Sequence, residues 1–410
     1  MEKYNKTTDL ILKIVAYLFG MFILFPNRVK PYLILILFLV SCFLYKKSNL
    51  KFILNKGLPL FVLFSTYLFS LLYSSEMATG INLILRITPL VILPFAFSVI
   101  GISNTQMFFS NFKKSFIISL VIYTFFIFLY LYKLNCIFGI NNLNYGYSYI
   151  TNEFYGINDH PIYISSYFCI GLLTIIYDKK SNKYFSFFAF FIILLGLIIL
   201  SRKGSIIAFF ISIIYYLVFN KNQFFKILLI FSSICLLIFS IPEINKRFFE
   251  LTNSEKTLNT STGIRQIIWK NAFQLTSKSK LFGYGIGDVQ NQLNKQYSQN
   301  HLYLLEKDKY NAHNQYIQII LTVGYVGLFL FVISLIYFTF NFHFAKNYFA
   351  VSILIFFYIL FNTESYLERQ NGIFFFSLIL SLLNYSEQNI ANRFNLSSVN
   401  RVVKLLTFIK

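Results

Sequence analysis

The chain has 410 residues, of which 57% are apolar, 20% are aromatic and only 12% carry charge. That balance exceeds what a water-exposed surface tolerates, so it excludes an ordinary soluble fold and predicts an all-α polytopic membrane protein. The net charge of +21 does not point to nucleic acid, because lysine and arginine at membrane loops set topology and meet anionic lipid head groups.

In chain order, apolar windows fall near residues 9–25, 31–45, 58–74, 82–100, 115–132, 160–177, 184–200, 204–219, 224–241, 315–340, 346–362 and 372–384. Hydrocarbon forbids unpaired backbone, and a span needs about 20 residues at the helical rise, so these windows predict about twelve transmembrane helices. Residues 1–241 would hold the first nine, 242–314 one large polar loop, 315–384 the last three, and 385–410 a tail. Phe25 is followed by Pro26, Asn27 and Arg28 rather than a small-residue cleavage site, so the first window reads as retained helix. The tail is polar, then weakly amphipathic in RVVKLLTFIK, which suits either the membrane surface or a disordered end. Cys42, Cys136, Cys169 and Cys235 show no CxxC spacing, so neither a disulfide framework nor a zinc site is expected.

Orientation follows from the basic residues. With both termini cytoplasmic, eighteen of the 36 lysines and arginines lie in short inner segments, among them Lys46, Lys47, Lys51, Lys56, Lys179, Lys180 and Lys183, against six in short outer ones. This sidedness puts the long loop and every polar anomaly of the chain on one face. Arg202 and Lys203 form a tight turn before a helix whose N-terminal dipole and free N–H groups would favour an anion. Arg86 lies one turn into the fourth span and needs a carboxylate or a wet cavity, with Glu364 of FNTESYLERQNG as an expected partner. In the loop, Arg265 and Trp269 of TGIRQIIWKNAFQL are four apart and share a helical face. GYGIGD lacks the strand and βαβ unit of a nucleotide loop and reads as a tight turn returning the chain to the membrane.

His313 and Asn314 precede the span that begins QYIQIILTVG, again at an outer helix N-terminus. The dipole and nearby arginines should disfavour the protonated imidazole and leave a neutral base. His160, in NDHPIYISSY, is a second candidate base, although Pro161 also suits a plain helix start.

The runs SRKGSIIAFFISI, GIRQIIWKNAF, LFGYGIGDVQ and AHNQYIQIILTVGYVGLFLF, in this order over about residues 195–335, resemble the O-antigen ligases and the related O-antigen polymerases. The resemblance implies a bacterial inner-membrane glycosyltransferase whose periplasmic site uses an undecaprenyl-diphosphate-linked glycan and needs no metal or other cofactor. It implies that Arg202 and Arg265 hold the lipid diphosphate and that His313 activates the acceptor, while Lys203 stands where a glycine is common. A leaving group of this kind is already activated, so arginines suffice to neutralise it and no nucleotide is required. Ligase and polymerase differ in the acceptor, lipid A core or another glycan, and length with one dominant loop leans towards ligase. A protein O-glycosyltransferase shares the chemistry. A lipid-linked-sugar transporter would instead place polar residues at the bilayer midplane, whereas these hug one interface.

Overall fold

The structure is a computed structural model, and it describes residues 2–45, 50–133, 160–178, 182–200, 202–219, 261–279 and 281–386. The expected ninth span at 224–241 and the tail beyond 386 lie outside the described residues. Among the described residues the regular structure is helical throughout, without strands. The helices are α1 (Glu2–Gly20), α2 (Lys30–Leu44), α3 (Leu50–Ser70), α4 (Met77–Ile87), α5 (Pro89–Ile100), α6 (Ile102–Lys133), α7 (Pro161–Tyr177), α8 (Lys183–Leu200) and α9 (Lys203–Phe219). After them come α10 (Ser261–Thr276), α11 (Val289–Gln299), α12 (Tyr303–Lys307), α13 (Gln315–Phe344), α14 (Tyr348–Thr363) and α15 (Gln370–Ser386).

Six described stretches are long and apolar enough to cross a membrane, namely Asn27–Leu44, Lys56–Tyr73, Met77–Ile100, Ile102–Leu129, Lys183–Leu200 and Gln315–Phe344. Pro161–Tyr177, Lys203–Tyr216 and Tyr348–Thr363 are shorter apolar helices. Large apolar side chains on these helices are turned outward, including Phe43 at 83%, Leu72 at 75% and Phe187 at 69% exposure. Water would not tolerate such a surface, and a bilayer does.

Close helix approach is built from small residues, as packing in lipid requires. Gly20 closes α1 against α6 so tightly that a Cβ would stand 1.9 Å from Ser115 Oγ, and Ser119 Oγ donates to Gly20 O at 2.9 Å. Near the C-terminal end of α15, Lys56 Nζ donates to Asn384 O at 2.8 Å and Asn384 Nδ2 returns a bond to Lys56 O at 2.9 Å. Phe22, Phe116, Tyr167, Phe374 and Phe375 interlock, with the Phe22 and Tyr167 ring centroids 4.9 Å apart.

The polar loop has its own small core. Ile268, Ala272, Leu275, Val289, Leu293, Tyr297 and Leu305 pack together from α10, α11 and α12, and onto Ile317 and Leu321 of α13. These α13 residues carry the loop's core past the expected boundary at 314. The loop is also stitched to α13 where that helix breaks. Gly324 adopts φ 74°, ψ −171° inside α13, which releases carbonyls that the helix would otherwise use. Tyr284 N donates to Leu321 O at 2.8 Å and Gly285 N to Thr322 O at 3.0 Å. Thus GYGIGD is a tight turn whose glycines at φ 76° and 93° let backbone meet backbone. The break itself had no warning in the apolar run around Gly324.

Candidate functional site

His313 is presented by the junction between the loop and α13. Asn314 caps α13, its Oδ1 accepting from Tyr316 N at 3.0 Å and Ile317 N at 3.1 Å. One residue earlier the chain must turn, and His313 takes a left-handed φ of 43°. Such a conformation is costly for a residue with a Cβ and persists only where neighbours impose it. Here His313 N donates to Asn311 Oδ1 at 3.1 Å, and Trp269 Nε1 donates to His313 O at 3.3 Å. Ala312 N adds a bond to Gln318 Oε1 at 3.1 Å. Trp269 therefore holds the His313 backbone, a function that its spacing from Arg265 did not disclose.

The imidazole faces the end of α14. His313 Nδ1 lies 3.1 Å from Glu364 Oε2, and Arg265 Nη2 lies 3.9 Å from the same oxygen. Glu364 is buried, with 6% of its side chain exposed, whereas His313 and Arg265 keep 18% and 26%. Burial alone would raise the Glu364 carboxyl, but the charge and hydrogen bond of His313, then His160 and Arg265, hold it down at about 2. Burial also lowers Arg265, a shift opposed by Glu364 and deepened by Arg202.

The expected pairing of Arg86 with Glu364 is not the one the fold makes. Arg86 Nη1 donates to Glu368 O at 3.0 Å, while Glu364 serves His313 and Arg265. The two glutamates are four residues apart across the turn between α14 and α15, so sequence proximity could not separate them. The reading of His313 from dipole and arginines alone likewise omitted the carboxylate that the fold sets against its ring. Burial pushes the Glu368 carboxyl up to about 7, against the opposing pull of Arg86 and a hydrogen bond from Gln318.

His160 caps α7, its Nδ1 accepting from Ile162 N at 3.5 Å, and so fills the helix-start role that Pro161 suggested. It also lines a cavity of about 330 Å³ with Asn27, Arg86, Tyr163, Arg369 and Asn371. Burial lowers His160 to about 3; Glu364 opposes this, and Arg202, Arg369 and His313 add to it. Arg202 and Glu364 thus act on both His160 and Arg265, while Arg369 and His313 act on His160. Lys203 opens α9 next to Gly204, where a Cβ would stand 2.6 Å from Thr363 Oγ1. The 202–204 turn thus abuts the residue before Glu364.

Asn314 does more than cap. Its N–H donates to Ser365 Oγ at 3.2 Å and its Nδ2 to Asn362 O at 3.2 Å, while Leu367 N donates to Gln315 Oε1 at 2.7 Å. These bonds lace the His313 junction to the Glu364 turn on both sides. Sequence reasoning missed Lys30, which is fully buried and donates from Nζ to Asn27 Oδ1 and Asn371 Oδ1, both at 2.7 Å. Its only sequence signal was its place among the few basic residues of the outer loops.

The class defined by fold and site is a helical membrane protein with a cluster of charged side chains gathered at helix ends. A family model described as O-antigen ligase matches residues 188–332. That match, over about a third of the chain, supports the superfamily that its motifs resemble. It contains Arg202, Arg265 and His313, whereas Arg86, His160 and Glu364 lie outside it. No curated protein matches the chain.

Proposed function

We propose that the protein is a periplasm-facing, inverting glycosyltransferase of the bacterial inner membrane that moves a glycan from undecaprenyl diphosphate to a hydroxyl on lipid A core. The observation that carries this reading is the single oxygen, Glu364 Oε2, shared by His313 Nδ1 at 3.1 Å and Arg265 at 3.9 Å. A twelve-span topology with both termini cytoplasmic is part of the same proposal.

In this reading Glu364 accepts the Nδ1–H and fixes the tautomer and ring plane, leaving the Nε2 lone pair for the acceptor hydroxyl. The hydroxyl oxygen attacks the anomeric carbon as its proton passes to Nε2, and the bond to the diphosphate oxygen breaks. One displacement inverts configuration. Arg265 and Arg202 stabilise the departing diphosphate, with Lys203 beside Arg202 and Arg86 on the neighbouring cavity wall.

The test is glycan profiling of a deletion strain complemented with wild type or His313→Ala. Loss of all polymer from mature lipopolysaccharide, with long lipid-linked chains accumulating, supports ligase. Transfer of one repeat only assigns the same residues to a polymerase. Wild-type profiles from a membrane-inserted His313→Ala protein would overturn the transferase reading.

A further inference from the structure

Two cavities away from His313 meet at Tyr73. The first, about 430 Å³, is polar and includes Ser75, Glu76, Lys278, Asp288 and Lys295 in its lining. The second, about 350 Å³, is almost wholly apolar and runs between α3 and α13, along Val62, Phe69, Val323, Val326 and Leu330. Tyr73 lines both, and its hydroxyl donates to Phe282 O. Neither His313, Glu364 nor Arg265 lines either one.

Their order matches the layering of a bilayer. The apolar groove lies within Lys56–Tyr73 and Gln315–Phe344, both able to cross a membrane. The polar pocket begins where the first of these ends, at Tyr73, and a tyrosine at that boundary suits the interface. Around the junction Leu281, Phe282 and Phe329 are 61%, 52% and 64% exposed, so apolar loop residues continue the helix surface instead of retreating from it. The charge in the pocket is also apportioned. Asp288 is committed to the backbone, accepting from Ser75 N at 2.6 Å and Glu76 N at 2.9 Å. Lys278 and Lys295 face the same pocket as Glu76 and offer two ammonium donors to a phosphate.

We propose that the two cavities form one binding site for a membrane lipid with a phosphorylated head group, the head against Lys278 and Lys295 and a chain in the groove between α3 and α13. A free anion would have no use for the groove, and an unphosphorylated lipid none for the lysines. The site is separate from the reaction centre and stands whether or not the transferase reading does.

The experiment is native mass spectrometry of the full chain in detergent, titrated with phosphatidylglycerol. Wild type should retain one lipid tightly, and Lys278→Gln/Lys295→Gln should weaken that binding by roughly 30-fold, about fivefold for each lysine. Val326→Trp, at an exposed groove position, should weaken it independently, and His313→Ala should leave it unchanged. Diacylglycerol of the same chain length should bind wild type no better than it binds the double variant, and inorganic phosphate should not displace the lipid. The proposal falls if both the lysine and groove variants bind phosphatidylglycerol like wild type, if diacylglycerol binds as tightly, if free phosphate competes it off, or if His313→Ala abolishes binding.

Discussion

His313 Nδ1 and Glu364 Oε2 stand 3.1 Å apart although 51 residues separate them. The contact joins the N-terminal junction of α13 to the C-terminal end of α14, two helices that also pack along their length. Helix ends are where dipoles and unpaired backbone groups concentrate. A buried carboxylate between an imidazole and a guanidinium converts that local polarity into an oriented hydrogen bond.

Removing either partner should stop transfer by different routes. His313→Ala should reduce the rate by about 10²- to 10⁴-fold, the usual scale for a general base. Glu364→Gln keeps the shape but forfeits the charge, so it should also lower the rate and alter its dependence on pH. The check is transfer of a lipid-linked glycan by purified variants that elute as single species.

Stability should respond to pH through Glu368 and His160 in opposite senses. The Glu368 carboxyl sits at about 7 against an ordinary 4.5, so the folded state binds the extra proton between those values. Its contribution is complete below about pH 4.5 and is lost as pH rises through 7, amounting to ~3 kcal/mol. His160 is lowered to about 3 from 6.5, so stability is lost as pH falls below 6.5. Melting curves in detergent should therefore show Glu368→Gln gaining at pH 7.5 relative to wild type and losing more steeply on acidification. A parallel pair of curves would contradict the Glu368 assignment.

Glu364 acts in a lower window. Held at about 2, it stabilises the fold above its ordinary value of 4.5 and loses that contribution only as pH falls through 2. The difference in melting temperature between wild type and Glu364→Gln should shrink as pH falls from 4.5 towards 2, which the same melting series measures.

The break in α13 should be intolerant of any side chain. A Cβ on Gly324 would meet Leu281 O at 1.9 Å, at a φ of 74°. Gly324→Ala should cost about 1–3 kcal/mol from backbone strain alone, and the clash should detach the loop from α13. Reduced monodisperse yield and faster proteolysis within residues 261–310 would report it.

Asp288 should matter at a distance. It holds the two amides that lead into α4, whose last turn carries Arg86 on Glu368 O. Asp288→Ala should cost about 1 kcal/mol, the scale of a lost helix cap, and should lower the melting temperature while leaving the His313–Glu364 pair intact. Residual transfer activity in the folded variant checks that division.

The sequence alone determined the environment and the kind of fold, because apolar windows and the placement of lysine and arginine are read one segment at a time. It also singled out Arg86, Arg202, His313 and Glu364, since charge beside apolar helix stands out without any tertiary knowledge, whereas Arg265 in the polar loop gained its role only from the family resemblance. Partnership was another matter. Whether Glu364 or Glu368 meets Arg86, that Trp269 holds the His313 backbone, and that Lys30 is buried between Asn27 and Asn371 depend on helices far apart in the chain. The break at Gly324 belongs to the same group, for its freed carbonyls are satisfied only by Tyr284 and Gly285 some forty positions earlier. Hydrophobic periodicity constrains each helix along its own axis; packing alone sets which ends come together, because the polar contacts that choose among arrangements form only after the helices have met.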